Sequence, residues 1–218
     1  MNILSLLKKD EIDINRSHIF IRHSIKENPP VNQPYLDVPL TTEGVRLAEF
    51  FGQELREFEL KTIITSPLRR CIDTAKSIRR GYEKDIPIIP STMLGNPGPY
   101  VEDEDKAGET FLEVFPNNIV KKQVENEKLP GFRDISKGSK MILDLLTEWE
   151  PPSIFITHDV IIAAFLGYLN GKYPDIEEWI DYLDGFIFCP ESKDTVISAE
   201  GFTFSKATIE DKIGNIIE

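Results

Sequence analysis

Ser17-His18-Ile19-Phe20-Ile21-Arg22-His23-Ser24 is the stretch on which the reading of this chain turns. Three large apolar side chains in succession, followed by a polar loop carrying Pro29, Pro30, Pro34 and Pro39, read as a short buried strand and its exit turn. Downstream, Leu47, Phe51, Leu55 and Phe58 recur at helical spacing, with Thr41 or Thr42 placed to cap the helix and Glu43 suited to its first turn. Thr62–Thr65 reads as a second strand. It runs into Ser66-Pro67, a cap-plus-proline signal for a helix whose inward stripe is Leu68, Cys71, Ile72, Ala75 and Ile78. Ile86–Ile89 is a third strand.

The remainder follows the same alternation. Residues 90–132, with Leu94-Gly95-Asn96-Pro97-Gly98-Pro99 and the acidic run Glu102–Asp105, form an irregular excursion with some helix, expected over one end of the sheet. A helix near 135–149, an apolar strand Ser153–Thr157 and a helix Asp159–Leu169 stopped near Gly171 come next. Residues 175–183 read as helix. Phe186–Cys189, Thr195–Ala199 and Phe202–Phe204 read as short antiparallel strands. Ile3, Leu4, Leu6 and Leu7 suit one face of a short amphipathic helix. Strands alternating with helices predict a three-layer α/β sandwich, a mostly parallel sheet with helices on both faces, spanning residues 1–218 as one domain.

Composition narrows the function. The 218 residues are 40% hydrophobic, enough for a core, and 25 basic against 37 acidic residues leave a net charge of −12. Nucleic acid and anionic membrane surfaces are poor partners for such a chain. Two cysteines provide no disulfide framework, and the expected location is cytoplasmic: charges follow a very short apolar patch at the amino terminus, unlike a secretory signal.

Ligands of open α/β sheets bind beyond the carboxyl ends of the strands. Three features fall there: Arg22-His23-Ser24, Thr65-Ser66-Pro67-Leu68-Arg69-Arg70 and Thr157-His158-Asp159. Two of the chain's three histidines therefore lie at strand ends, beside arginines and two helix starts. Backbone amides at helix starts and guanidinium forks both suit phosphate, so the positions predict an anion pocket with two imidazoles.

These residues also carry a family resemblance. Ile-Phe-Ile-Arg-His-Ser resembles the strand and Arg-His-Gly signature of the histidine phosphatase superfamily, the phosphoglycerate mutase-like fold. The likeness continues through Leu40-Thr41-Thr42-Glu43-Gly44, through Ser66-x-Leu68-x-Arg70-x-x-x-Thr74-Ala75, and through Thr157-His158. It implies that His23 is a nucleophile forming a phosphohistidine, that Arg22 and Arg70 clamp phosphoryl oxygens, and that His158 donates a hydrogen bond to them. Ser24 replaces the usual glycine, adding a side chain beside the site. Lys26 stands where the acid phosphatase and phytase branch has a third arginine and keeps the charge without the planar fork.

The leaving oxygen needs an acid. Asp159 resembles the donor of the His-Asp pair in the acid phosphatase branch, although it also sits where a helix cap belongs. The mutase-like branch takes its acid from the excursion, where Glu102 is the candidate. Asp159 is placed slightly ahead, with Lys26 and Glu102 as further substrate contacts. His18 is five residues before His23, hence on the opposite face of a regular strand, and reads as structural. A zinc triad of the three histidines is rejected on that ground, Cys71 reads as a core residue, and no metal or organic cofactor is expected. Phe111, Phe115, Tyr100 and Phe132 read as anchors of the excursion. The expected activity is hydrolysis of a small phosphorylated metabolite. The rivals are a phosphoglycerate mutase-like phosphotransferase and a silent phosphoryl-binding module.

Overall fold

The alternation of aromatic and aliphatic residues along the central strands sorts two cores onto the two faces of one sheet. In a computed structural model that describes residues 2–9, 12–28, 38–173, 179–192, 194–199 and 201–213, the chain runs α1 (Ile3–Leu7), β1 (His18–Arg22), α2 (Thr42–Glu54), β2 (Thr62–Thr65), α3 (Arg69–Tyr82) and β3 (Ile88–Pro90). It continues α4 (Glu104–Glu113), α5 (Pro116–Val124), α6 (Ile135–Thr147), β4 (Ser153–Thr157), α7 (Asp159–Asn170), β5 (Gly185–Phe188), β6 (Asp194–Ser198), β7 (Thr203–Ser205) and α8 (Lys206–Ile213). Phe20, Ile64, Phe155, Phe186 and Phe188 point to one face, where α6, α7 and α8 cover them. Ile19, Ile21, Ile63, Ile154, Ile156 and Ile187 point to the other, under α1, α2 and α3. Each such side chain, fully buried, contributes about 1.5–3 kcal/mol.

The sheet order is β3-β2-β4-β1-β5-β6-β7. The β2–β3, β2–β4 and β1–β4 pairs are parallel, whereas β1–β5, β5–β6 and β6–β7 are antiparallel. The sheet is thus more mixed than the sequence suggests, because the three late strands extend the sheet itself.

Local expectations fare unevenly. Thr41 caps α2, its Oγ1 accepting from Gly44 N at 2.9 Å. Within α2, Ala48 and Phe51 face inward while Leu47 is turned to solvent. The α3 helix starts at Arg69, not at Pro67, and its cap residue Leu68 makes no side-chain bond. The reason lies in Ser66: its N–H still pairs with Ile156 O at 2.9 Å, so the strand ladder runs one residue past β2. The residue before a proline also resists helical geometry. His158, not Asp159, is the cap residue of α7. Of the helix expected over 175–183, residues 175–178 lie outside the described residues, and 179–184 are turn and irregular chain. The Pro29–Pro34 loop also lies outside them.

The excursion contains α4 and α5 and is pinned at both ends. Thr157 Oγ1 donates to Leu94 O at 2.7 Å, Tyr100 bonds Ser139 at 3.0 Å, and Arg133 Nη1 donates to Pro99 O at 2.5 Å. Tyr100 is buried as an anchor, but Phe115 is 76% exposed and anchors nothing. Among the described residues, no helix is long and apolar enough to cross a membrane.

Candidate active site

Register brings the three strand ends together. Arg22 is paired with Thr157 across β1–β4, and Thr65 with Ile156 across β2–β4. His23 N then donates to Thr157 O at 2.9 Å, so His23, His158 and Ser66 emerge side by side from neighbouring strands. The His23 and His158 rings lie 5.5 Å apart.

Arg70, the second residue of α3, reaches both rings. Its Nε donates to His23 Nε2 at 3.2 Å and its Nη2 to His158 Nδ1 at 3.3 Å. A guanidinium only donates, so both ring nitrogens are acceptors and the tautomers follow. The proton of His23 is on Nδ1 and goes to Ser24 O at 2.7 Å. That of His158 is on Nε2 and goes to Ser66 Oγ at 3.1 Å, rather than toward a ligand. Burial, then Arg70 and Arg22, press the His23 pKa down to about 3, opposed by Ser24 O and Asp159. Burial likewise holds His158 well below the ordinary value, with Arg70, His23 and Arg22 acting in the same sense. Both imidazoles are neutral at physiological pH.

The loop after His23 is fixed from below. Ser24 is fully buried, its Oγ donating to Gly44 O at 2.7 Å and its N–H to Thr74 Oγ1 at 3.0 Å. The serine that stands in place of glycine therefore ties the His23 loop to α2 and α3. Gly44 permits the approach, since a Cβ there would lie 2.1 Å from Ile25 O. Gly95, at φ 127°, presses on His158 in the same manner, where a Cβ would lie 2.5 Å from Cδ2.

Arg22 occupies a different setting from Arg70. Its Nη1 donates to Ile180 O at 2.6 Å, its Nη2 pairs with Asp159 Oδ2 at 2.9 Å, and its guanidinium carbon sits 4.1 Å above the Tyr182 ring. Asp159 also accepts from Trp179 Nε1 at 3.0 Å and from Val160 N at 2.9 Å. Tyr182 is 5.9 Å from the His23 ring. Trp179 and Tyr182 are site neighbours that the sequence reading missed, because they fall in the segment read as helix and carry no local motif.

Lys26 is in the same field. Its pKa is lowered by burial and by Arg70 and Arg22, and its Nζ lies 3.5 Å from Glu27 O. Glu102 is exposed just before α4, its N–H donating to Gly131 O at 2.9 Å, and its carboxylate makes no hydrogen bond or ion pair among the described residues. The structure does not bring it into contact with either histidine. Cys71 lies under His158, Sγ 3.8 Å from Nε2, and burial pushes its thiol up to about 12. His18, against Phe155 and Phe188 on the other face of the sheet, is no part of the site.

Sheet order, helix layers and a site at the carboxyl ends of parallel strands define an α/β protein of phosphoglycerate mutase-like fold. Mycobacterial glucosyl-3-phosphoglycerate phosphatase superposes with a TM-score of 0.55 at 17% identity, covering 79% of this chain and 89% of that one. Phosphoglycerate mutase from Bacillus anthracis gives 0.54 at 13% identity, covering 92% and 93%. In sequence, a curated 2,3-bisphosphoglycerate-dependent phosphoglycerate mutase from Thermoplasma acidophilum is 26% identical over 168 residues, 77% of this chain and 76% of that protein. Residues 18–181 match the histidine phosphatase superfamily (branch 1), and the chain belongs to that superfamily of enzymes, which includes phosphatases and mutases.

Proposed function

We propose that the protein is a metal-independent phosphomonoesterase that acts on a small phosphorylated metabolite through a phosphohistidine at His23. One observation carries the reading: Nδ1–H of His23 is spent on Ser24 O, so Nε2 bears the lone pair, and a pKa near 3 keeps it there. Nε2 attacks phosphorus as the bond to the leaving oxygen breaks, and that oxygen takes a proton from a carboxyl group, for which Asp159 and Glu102 are the candidates. Water then attacks the phosphohistidine, the P–N bond breaks, and inorganic phosphate and free His23 result. Arg70 turns its two N–H groups from the rings to phosphoryl oxygens, where charge develops.

A mutase reading has support from the Thermoplasma acidophilum relative. A mutase must hold a second anionic group of a doubly phosphorylated intermediate. Nη1 and Nη2 of Arg22 each already give a hydrogen to a protein acceptor, which leaves fewer donors for a second anionic group and favours the hydrolase. The test is hydrolysis of p-nitrophenyl phosphate and of a metabolite panel, with chelator present, by wild type and His23→Ala. Chelator-resistant release of phosphate that vanishes with His23→Ala supports the proposal. A phosphoenzyme that outlives many turnovers and is discharged only by a second hydroxyl acceptor supports the mutase.

A further inference from the structure

The Arg22 guanidinium is enclosed on three sides. Ile180 O takes Nη1, Asp159 takes Nη2, and the Tyr182 ring covers one face at 4.1 Å. Asp159 is held in turn by the indole N–H of Trp179 and by Val160 N, so both of its oxygens accept hydrogen bonds from the protein. The turn that supplies these groups is locked to the site: Arg22 N donates to Asp184 O at 2.9 Å and Leu183 N donates to Arg22 O at 3.2 Å. One nitrogen remains. Arg22 Nε is buried and has no hydrogen-bond partner among the described residues. A buried guanidinium N–H left without an acceptor is destabilising, and an anion's oxygen would satisfy it.

Resting on the phosphohistidine reading above, we propose that Asp159, Trp179 and Tyr182 are positioning residues that fix the Arg22 guanidinium so that Nε, its one nitrogen without a protein acceptor among the described residues, donates to phosphate. Asp159 is then not the acid of the reaction. The cage explains why an aspartate beside His158 carries a tryptophan N–H as well as an arginine. A proton donor needs a free, protonated oxygen, whereas an orienting carboxylate needs its oxygens filled by donors. It also assigns work to the Trp179–Tyr182 segment, which no motif of the chain covers. Of the two carboxyl candidates for proton delivery, Glu102 is the one that remains.

Two measurements on Asp159→Asn, Trp179→Phe, Tyr182→Phe and Tyr182→Leu separate the roles. The first is the affinity for inorganic phosphate by calorimetry, which reports the pocket whether or not turnover occurs. Asp159→Asn is expected to weaken phosphate binding about 10-fold or more and Trp179→Phe about 3- to 10-fold. Tyr182→Phe should keep the affinity that Tyr182→Leu loses. The second is kcat on p-nitrophenyl phosphate against an unactivated alkyl phosphate. A positioning role lowers both substrates by the same factor, whereas a lost acid spares the activated ester and disables the alkyl one. Unchanged phosphate affinity in both Asp159→Asn and Trp179→Phe, or an Asp159→Asn loss confined to the alkyl phosphate, overturns the proposal. If phosphate binds with the expected pattern and no monoester is hydrolysed, the cage stands and the hydrolase reading falls.

Discussion

Replacing His18 by phenylalanine should flatten the acid limb of this protein's stability curve by a definite amount. His18 lies edge-on to Phe155 with centroids 5.3 Å apart and stacks on Phe188 at 6.3 Å, and its Nδ1 has no partner among the described residues. Burial holds its pKa down near 4, with the Trp149 and Ser153 backbone pulling it back up. The folded state thus keeps a neutral ring where the unfolded chain, with an ordinary value of 6.5, takes a proton. Stability from this group is fully present above pH 6.5 and is lost as the pH falls from there toward 4. One proton taken up on unfolding is worth about 1.4 kcal/mol per pH unit, so His18 alone removes about 2 kcal/mol between pH 6.5 and 5. His23, near 3, and His158, held well below the ordinary value by burial, act in the same direction. His18→Phe should therefore reduce the wild-type slope between pH 6 and 5 by up to about 1.4 kcal/mol per unit. Asp184, pushed up by burial, opposes this trend in both proteins and drops out of the comparison. Lost bonds to the Trp149 and Ser153 backbone shift the variant's whole curve and leave its slope alone. Urea unfolding followed by tryptophan fluorescence from pH 8 to 5 at constant ionic strength reads the slopes. Identical slopes for variant and wild type would refute the reasoning.

Other outcomes follow from the same geometry. Gly44→Ala places a Cβ 2.1 Å from a backbone oxygen that cannot yield, so it should cost about 1–3 kcal/mol and lower kcat by shifting the His23 loop, read by chemical denaturation and a steady-state assay. The Cys71 thiol, fully buried and raised to about 12, should resist aromatic disulfide reagents in the folded protein and react on unfolding; rapid native labelling would contradict the packing under His158. Inorganic phosphate at 100 times its Kd should stabilise wild type by about 2.7 kcal/mol, read as a shift in thermal unfolding, and Arg70→Met should abolish most of that shift.

The strands and the two strand-end histidines were legible because they depend on short-range pattern: Ile19–Ile21 and Ile154–Ile156 are apolar runs bounded by polar turns. What failed depends on partners distant in sequence. Ser66-Pro67 has the form of a helix start, but Ser66 is kept in the ladder by Ile156 and its hydroxyl accepts from His158, so α3 begins later. Asp159 looks like a cap, yet Arg22 and Trp179 claim its carboxylate. The direction of the Ser24 side chain is set by a carbonyl of α2, twenty residues on. Trp179 and Tyr182 entered no motif, since what places them is the turn bonded to the Arg22 backbone. The α8 helix, with only Ile209 buried, offers almost no apolar stripe to read.

The central claim is that His23 Nε2 takes the phosphoryl group. Its most direct measurement is a rapid quench of the wild-type enzyme with ³²P-labelled monoester under alkaline denaturing conditions, followed by proteolysis and mapping of the label. The account predicts an alkali-stable, acid-labile phosphate on the peptide containing His23, formed before the steady state and absent from His23→Ala. Label on another residue, or full turnover with no labelled peptide at any time, would contradict it.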